Sequence, residues 1–176
     1  MEPTIVERNQ IILLGFSFFG DPFAFSGGWT EENEIGRLWN RFTAYMANYD
    51  DYIKCVKNNE FGYEVHIEHE ETASKGHFEV FVGLEVEKLE DVPVEMLVKI
   101  LPPTKYAVFT LKGEQITSDW PRMIYHEWMA GSGYQQAYNY SFQLYDQRFK
   151  GLENLDESVL DVYIPIRQCN AIESQR

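Results

Sequence analysis

What most constrains this chain is the order of its patterned segments: strand, helix, strand, strand, and then the same order again in the second half. Residues 4–19 (TIVERNQIILLGFSFF) are rich in β-branched and aromatic residues and predict a strand kinked near Asn9 and Gln10. Breakers follow at Asp21-Pro22 and Gly27-Gly28. Thr30 offers a helix N-cap, and Glu31, Glu32 and Glu34 suit the positive end of the helix dipole. Ile35, Leu38, Trp39, Phe42 and Met46 then recur at helical spacing on one face, with a stop expected between Asn48 and Asp51. Two strands come next, 61–69 and 77–87, joined by the polar run 70–76. In the second of these, Phe78, Val80, Val82, Leu84 and Val86 share one face, and Glu79, Phe81, Gly83, Glu85 and Glu87 the other.

The second half repeats the order. Residues 96–101 predict a short strand, Pro102-Pro103 a turn, and 106–111 a strand ended by Gly113. Ser118 is a candidate cap for a second helix that tolerates Pro121 in its first turn and presents Trp120, Ile124 and Trp128 on one face. Gly131 and Gly133 end it; strands over 140–147 and 159–166 follow, then a polar tail from Gln168 expected to fray. The periodicity implies an α+β fold in which two helices cover one antiparallel sheet. One domain of two repeats, 4–90 and 94–167, fits the 176-residue length.

Composition narrows the partners. The formal net charge of −13 opposes binding to a phosphate backbone, so no direct nucleic-acid contact is expected; it leaves solubility, a cationic ligand or a basic protein partner as its uses. Aromatic residues are frequent (12 Phe, 11 Tyr, 4 Trp), which suits either an aromatic core or an aromatic-lined pocket. Cys55 and Cys169 form no disulfide or zinc pattern and fit a reducing cytoplasm. The first residues lack the features of a signal peptide, and no apolar run approaches the ~20 residues of a membrane span. His66 and His69 fall on opposite faces of a strand, so a metal site is not expected; all four histidines read as solvated or hydrogen-bonded.

Several segments carry a resemblance in their order and spacing. They are KYAVFTLKG (105–113), WPRMIYHEW (120–128), SGY (132–134), SFQLYDQRF (141–149) and LDVYIPI (160–166), with IGRLWNRF (35–42), FGYEV (61–65) and VGLEV (82–86) ahead of them, then Pro93, Met96 and Ile100-Leu101-Pro102. Together they resemble the GyrI-like family, also called the AraC-type effector-binding domain. The resemblance implies two strand–helix–strand–strand units related by a pseudo-twofold axis, with a small-molecule groove between the helices. It implies no cofactor and no metal. Its members include ligand-sensing halves of transcription activators, stand-alone proteins, gyrase inhibitors and hydrolases of cyclopropane-containing genotoxins. With neither helix basic, a stand-alone sensor or one acting through a partner is expected.

On that resemblance Gln143 lies in the groove, and strand alternation places Tyr145 on the same face. Trp39, Phe42, Trp120, Ile124 and Trp128 are candidate walls, and Phe81, Phe109 and Tyr163 a candidate floor, for a hydrophobic or aromatic ligand. The family most often has glutamate where this chain has Gln143. An amide keeps a donor and an acceptor but loses the charge, which favours neutral or polar aromatic ligands over lipophilic cations. Glu64, Glu79, Glu85 and Glu127 could point inward as substitute carboxylates, with solvent the expected environment of each. Glutamine cannot accept a proton as a general base, so binding is favoured over catalysis; hydrolysis of an electrophilic ligand and an acidic protein-interaction module are the alternatives.

Overall fold

The kink expected at Asn9 and Gln10 is a complete break. In the computed structural model, which describes residues 2–49, 51 and 53–169, β1 (Thr4–Arg8) and β2 (Ile11–Gly20) leave that point for different neighbours. Strand β2 pairs with β4 (Phe78–Val86) and β5 (Leu97–Leu101), whereas β1 pairs with β6 (Thr104–Lys112) of the second half. With β3 (Gly62–Glu68), β7 (Tyr134–Gln136), β8 (Tyr140–Tyr145) and β9 (Val159–Gln168), they form one antiparallel sheet in the order β1-β6-β9-β8-β3-β4-β2-β5, β7 pairing with β9. The leading strand of each half thus lies at the sheet edge belonging to the other. Strands β3 and β8 meet at the centre, as a pseudo-twofold arrangement requires.

The first helix, Glu34–Tyr49, starts later than expected because Asn33, not Thr30, caps it. The Asn33 Oδ1 accepts from the Gly36 amide at 2.9 Å, while Thr30 Oγ1 accepts from Glu32 N in a turn ahead of the helix. Leu38 and Phe42 then bury against Phe16, Val80 and Val82 of β2 and β4. The second helix spans 120–132 as a turn at Trp120–Arg122, a π-helical stretch at Met123–Trp128 and a final turn at Met129–Ser132. Asp119 replaces the expected Ser118 as its cap, Pro121 sits in its first turn, and Gly133 ends it at φ 74°. Trp120 and Ile124 bury against Phe109, Leu160 and Val162 of β6 and β9.

Both helices lie on one face of the sheet. The other face curls around a second core containing Tyr63, Val65, Phe81, Tyr106 and Phe142. Curling brings the ends together: Arg8 of β1 reaches Glu85 of β4 at 3.6 Å and lies over the Tyr163 ring. Gln168 closes β9, and the rest of the expected tail beyond Cys169 lies outside the described residues. Among the described residues no helix is long and apolar enough to cross a membrane.

Candidate functional site

Register builds the site. Residues directly opposite in an antiparallel pair point to the same side. Following those pairs from β2 to β6 gives one row: Phe16, Val82, Glu64, Gln143, Val162, Phe109. The first helix covers the apolar pair at one end of this row and the second helix the apolar pair at the other. Neither covers the middle, where the row is polar. Glu64 and Gln143 therefore floor a cleft between the helices, a cavity of about 1100 Å³. Two residues along each strand, on the same face, the floor continues into Gly62 and His66 on β3 and Tyr145 on β8.

Glu64 is the hub. Its side chain is buried, and four donors converge on its two oxygens. Trp39 Nε1 donates at 2.6 Å and Tyr145 OH at 3.4 Å to Oε2, while Gln143 Nε2 at 3.2 Å and His66 Nε2 at 2.8 Å reach Oε1. Tyr145 OH also lies 3.2 Å from Gln143 Oε1, so its one proton serves one acceptor at a time. Burial, then the neighbouring Glu64 charge, pushes the Tyr145 hydroxyl well above the usual tyrosine range; it stays a protonated donor. Gln143 does here what a second carboxylate could not, since two carboxylates opposite each other would repel. Gly62 makes room for the indole: a Cβ there would lie 2.6 Å from Trp39 Cη2. Trp39 then meets the Tyr145 ring edge-on at 4.9 Å, and Tyr145 meets Phe149 likewise at 4.9 Å.

Three further buried carboxylates show what is unusual about Glu64. Glu79 meets Lys99 at 2.8 Å, Glu85 meets Lys57 at 2.7 Å, and Asp161 meets Arg148 at 2.5 Å. Glu64 has only His66; among the described residues no lysine or arginine reaches it. A buried carboxylate without a cation is costly, and such groups concentrate at sites of function.

Four of the ten expected site residues line this cavity: Trp39, Trp120, Gln143 and Tyr145. The remaining six do not. Phe81 and Tyr163 belong to the adjacent register row, Phe81–Val65–Phe142–Tyr163, which points into the core on the opposite side of the sheet. Phe109 on β6 and Ile124 on the second helix are fully buried where that helix meets the sheet, with Trp128 edge-on to Phe109 at 5.2 Å. Phe42 faces the core from the first helix, though its ring touches Trp39. Glu64, Glu79 and Glu85, expected in solvent, are all buried, and only Glu127 is exposed. Glu64, His66, Phe78 and Phe149 also line the cavity, outside the ten expected site residues. The available signal was the polar face Gly62–Glu64–His66 alternating with the apolar face Tyr63–Val65–Ile67 on a strand that lies mid-sheet.

Comparison with known proteins agrees with this architecture. Residues 4–166 match the model of the integron-associated effector binding protein family. The chain is 32% identical over 169 residues to the transcriptional regulator BrlR of Pseudomonas aeruginosa, covering 94% of this chain and 56% of that protein; it thus spans little more than half of that relative's length. The structure of SAV2435 bound to tetraphenylphosphonium shares the fold with a TM-score of 0.66 at 15% identity, over 95% of this chain and 94% of that one. The C-terminal domain of EcmrR gives 0.65 at 12% identity, over 96% and 98%. An integron cassette protein from the mobile metagenome of Vibrio cholerae gives 0.60 at 17% identity, over 94% and 96%. Identities this low carry the fold alone, but the family match runs through nearly every element described above: the chain belongs to the integron-associated effector-binding proteins, a GyrI-like effector-binding family.

Proposed function

We propose that the cavity binds an aromatic organic cation and that the chain acts as a cytoplasmic effector-sensing unit in transcriptional control. One observation carries the ligand class: Glu64 is the buried carboxylate without a lysine or arginine partner, and it floors the cleft. Its oxygens already accept from protein donors, so the site offers negative charge with little unmet demand for hydrogen bonds. That combination suits a cation with no donor of its own, such as a phosphonium or quaternary ammonium. Trp39, Trp120, Tyr145 and Phe149 line the cavity, and each ring that turns its face to a cation contributes about 0.5–2 kcal/mol. Glu64 thus restores the charge that Gln143 alone would deny, and the ligand is expected to be cationic rather than neutral.

The tetraphenylphosphonium bound to SAV2435 supports the ligand class, and the kinship with BrlR supports the regulatory role. Saturation of Glu64 by donors also argues for binding over general-base hydrolysis. The test is isothermal titration with tetraphenylphosphonium and with neutral triphenylphosphine oxide. A clear preference for the cation is expected; equal affinity, or heat from neither, would overturn the proposed ligand class.

A further inference from the structure

We propose that His66 sets the charge the cavity presents, so that selection of cations over neutral ligands is controlled by pH. The inference rests on the effector-binding role of the Glu64 cavity and adds a specificity-determining residue to it. His66 Nε2 lies 2.8 Å from Glu64 Oε1, its ring packs on Phe78 at 5.3 Å, and its side chain keeps 26% of its surface exposed. Proton exchange with solvent is therefore open to it while its contact with Glu64 is fixed. A neutral ring carrying its proton on Nε2 donates to Glu64 and leaves the negative charge intact. An imidazolium makes the same hydrogen bond and cancels that charge. Histidine is the side chain suited to change charge near neutral pH.

The other ionisable groups around His66 do not duplicate this. On its own face of β3 lie Glu64 and Glu68; on β4 the neighbour is the Phe78 ring, and on β8 the residue opposite is Ser141. From the second helix Tyr125 reaches Ser141, and burial pushes its hydroxyl up to about 12. Tyr145 is pushed well above its usual range by burial and by Glu64. Neither tyrosine changes charge between pH 5.5 and 8. Glu31, Glu60, Asp119, Asp146 and Glu153 also line the cavity with carboxylates and Lys150 with an ammonium, but among the described residues no hydrogen bond or ion pair joins any of them to His66, and no lysine or arginine pairs with Glu64 to mask the effect.

The experiment measures the Kd of tetraphenylphosphonium and of triphenylphosphine oxide from pH 5.5 to 8, for the wild type and for His66→Gln, which keeps an N–H donor but cannot ionise. In the wild type, affinity for the cation falls roughly ten-fold or more toward acid while that for the neutral compound stays level. In His66→Gln the cation curve flattens. Titration at pH 6.5 in two buffers of different ionisation enthalpy adds an independent readout: the cation displaces a fraction of a proton from the wild type and none from the variant. Cation affinity that is level with pH in the wild type, or equally pH-dependent in the variant, overturns the role of His66 while leaving the cavity reading standing. No binding of either probe at any pH overturns both.

Discussion

Replacing Glu64 by glutamine removes one charge and almost no volume, and so isolates the electrostatic part of recognition. A cation centred about 6 Å from the carboxylate gains roughly 2.8 kcal/mol at an effective dielectric of 20, or about a hundred-fold in Kd. Burial of Glu64 means that solvent screens little of this. The hydrogen-bond network can close around the amide. Its oxygen can accept from Trp39, His66 can present an unprotonated Nε2 to its NH₂, and Gln143 can turn its own amide to offer oxygen. Glu64→Gln should therefore fold, bind tetraphenylphosphonium about a hundred-fold more weakly, and bind triphenylphosphine oxide within roughly three-fold of the wild type. Titration calorimetry on both proteins gives the ratio directly. Glu64→Ala serves as contrast: it strands the Trp39 and Gln143 donors and costs about 1–3 kcal/mol of stability in urea unfolding. Equal losses for cation and neutral compound in Glu64→Gln would falsify the electrostatic argument, as would an unchanged cation affinity.

Gly62→Ala should displace the Trp39 indole, destabilise the fold by about 1–3 kcal/mol and weaken both ligands, because the new Cβ lies 2.6 Å from that ring; tryptophan fluorescence and thermal melts report it. Tyr63→Phe acts on the opposite face, where the hydroxyl donates to buried Glu85 at 2.6 Å. Urea unfolding should show a loss of about 1.5–3 kcal/mol with ligand affinity unchanged; a change in affinity would mean the two faces are not independent. Burial opposes ionisation of Glu79, but hydrogen bonds from Lys99, Ser17 and His69 prevail and hold its carboxyl below the usual value. Its contribution is present in full above the unfolded value of ~4.3 and is lost as pH falls through the lower folded value. Lys99→Met should shrink that acid-side loss, read from stability measured between pH 3 and 6.

Alternation along each strand made the two faces of β4 legible: Val80, Val82 and Leu84 do lie under the first helix. The helices were legible from Leu38–Phe42 and Trp120–Ile124, because a buried stripe must recur at 3.6 residues. Pairing between distant strands was not legible. Aromatic type alone puts Phe81 and Tyr163 in the groove, yet each sits one residue out of step with Glu64 or Gln143 across the register, and in a sheet one residue is the whole difference between faces. Residue type alone puts Glu64 in solvent, where glutamates usually lie. Only the pairing of β3 with β8 shows that it faces Gln143 in a cleft that neither helix covers. The caps were missed by one to three residues for a local reason: Thr30 and Ser118 make turns of their own ahead of Asn33 and Asp119.

A crystal structure with tetraphenylphosphonium would locate the cation against Glu64. Phosphorus is expected between the two helices, about 4–7 Å from the Glu64 carboxylate, where the Coulomb term at a dielectric of 20 stays above roughly 2 kcal/mol. Phenyl rings should lie against Trp39, Trp120 and Tyr145. A cation bound elsewhere on the molecule, or in the cleft with its charge turned away from Glu64, would contradict the proposed role of Glu64.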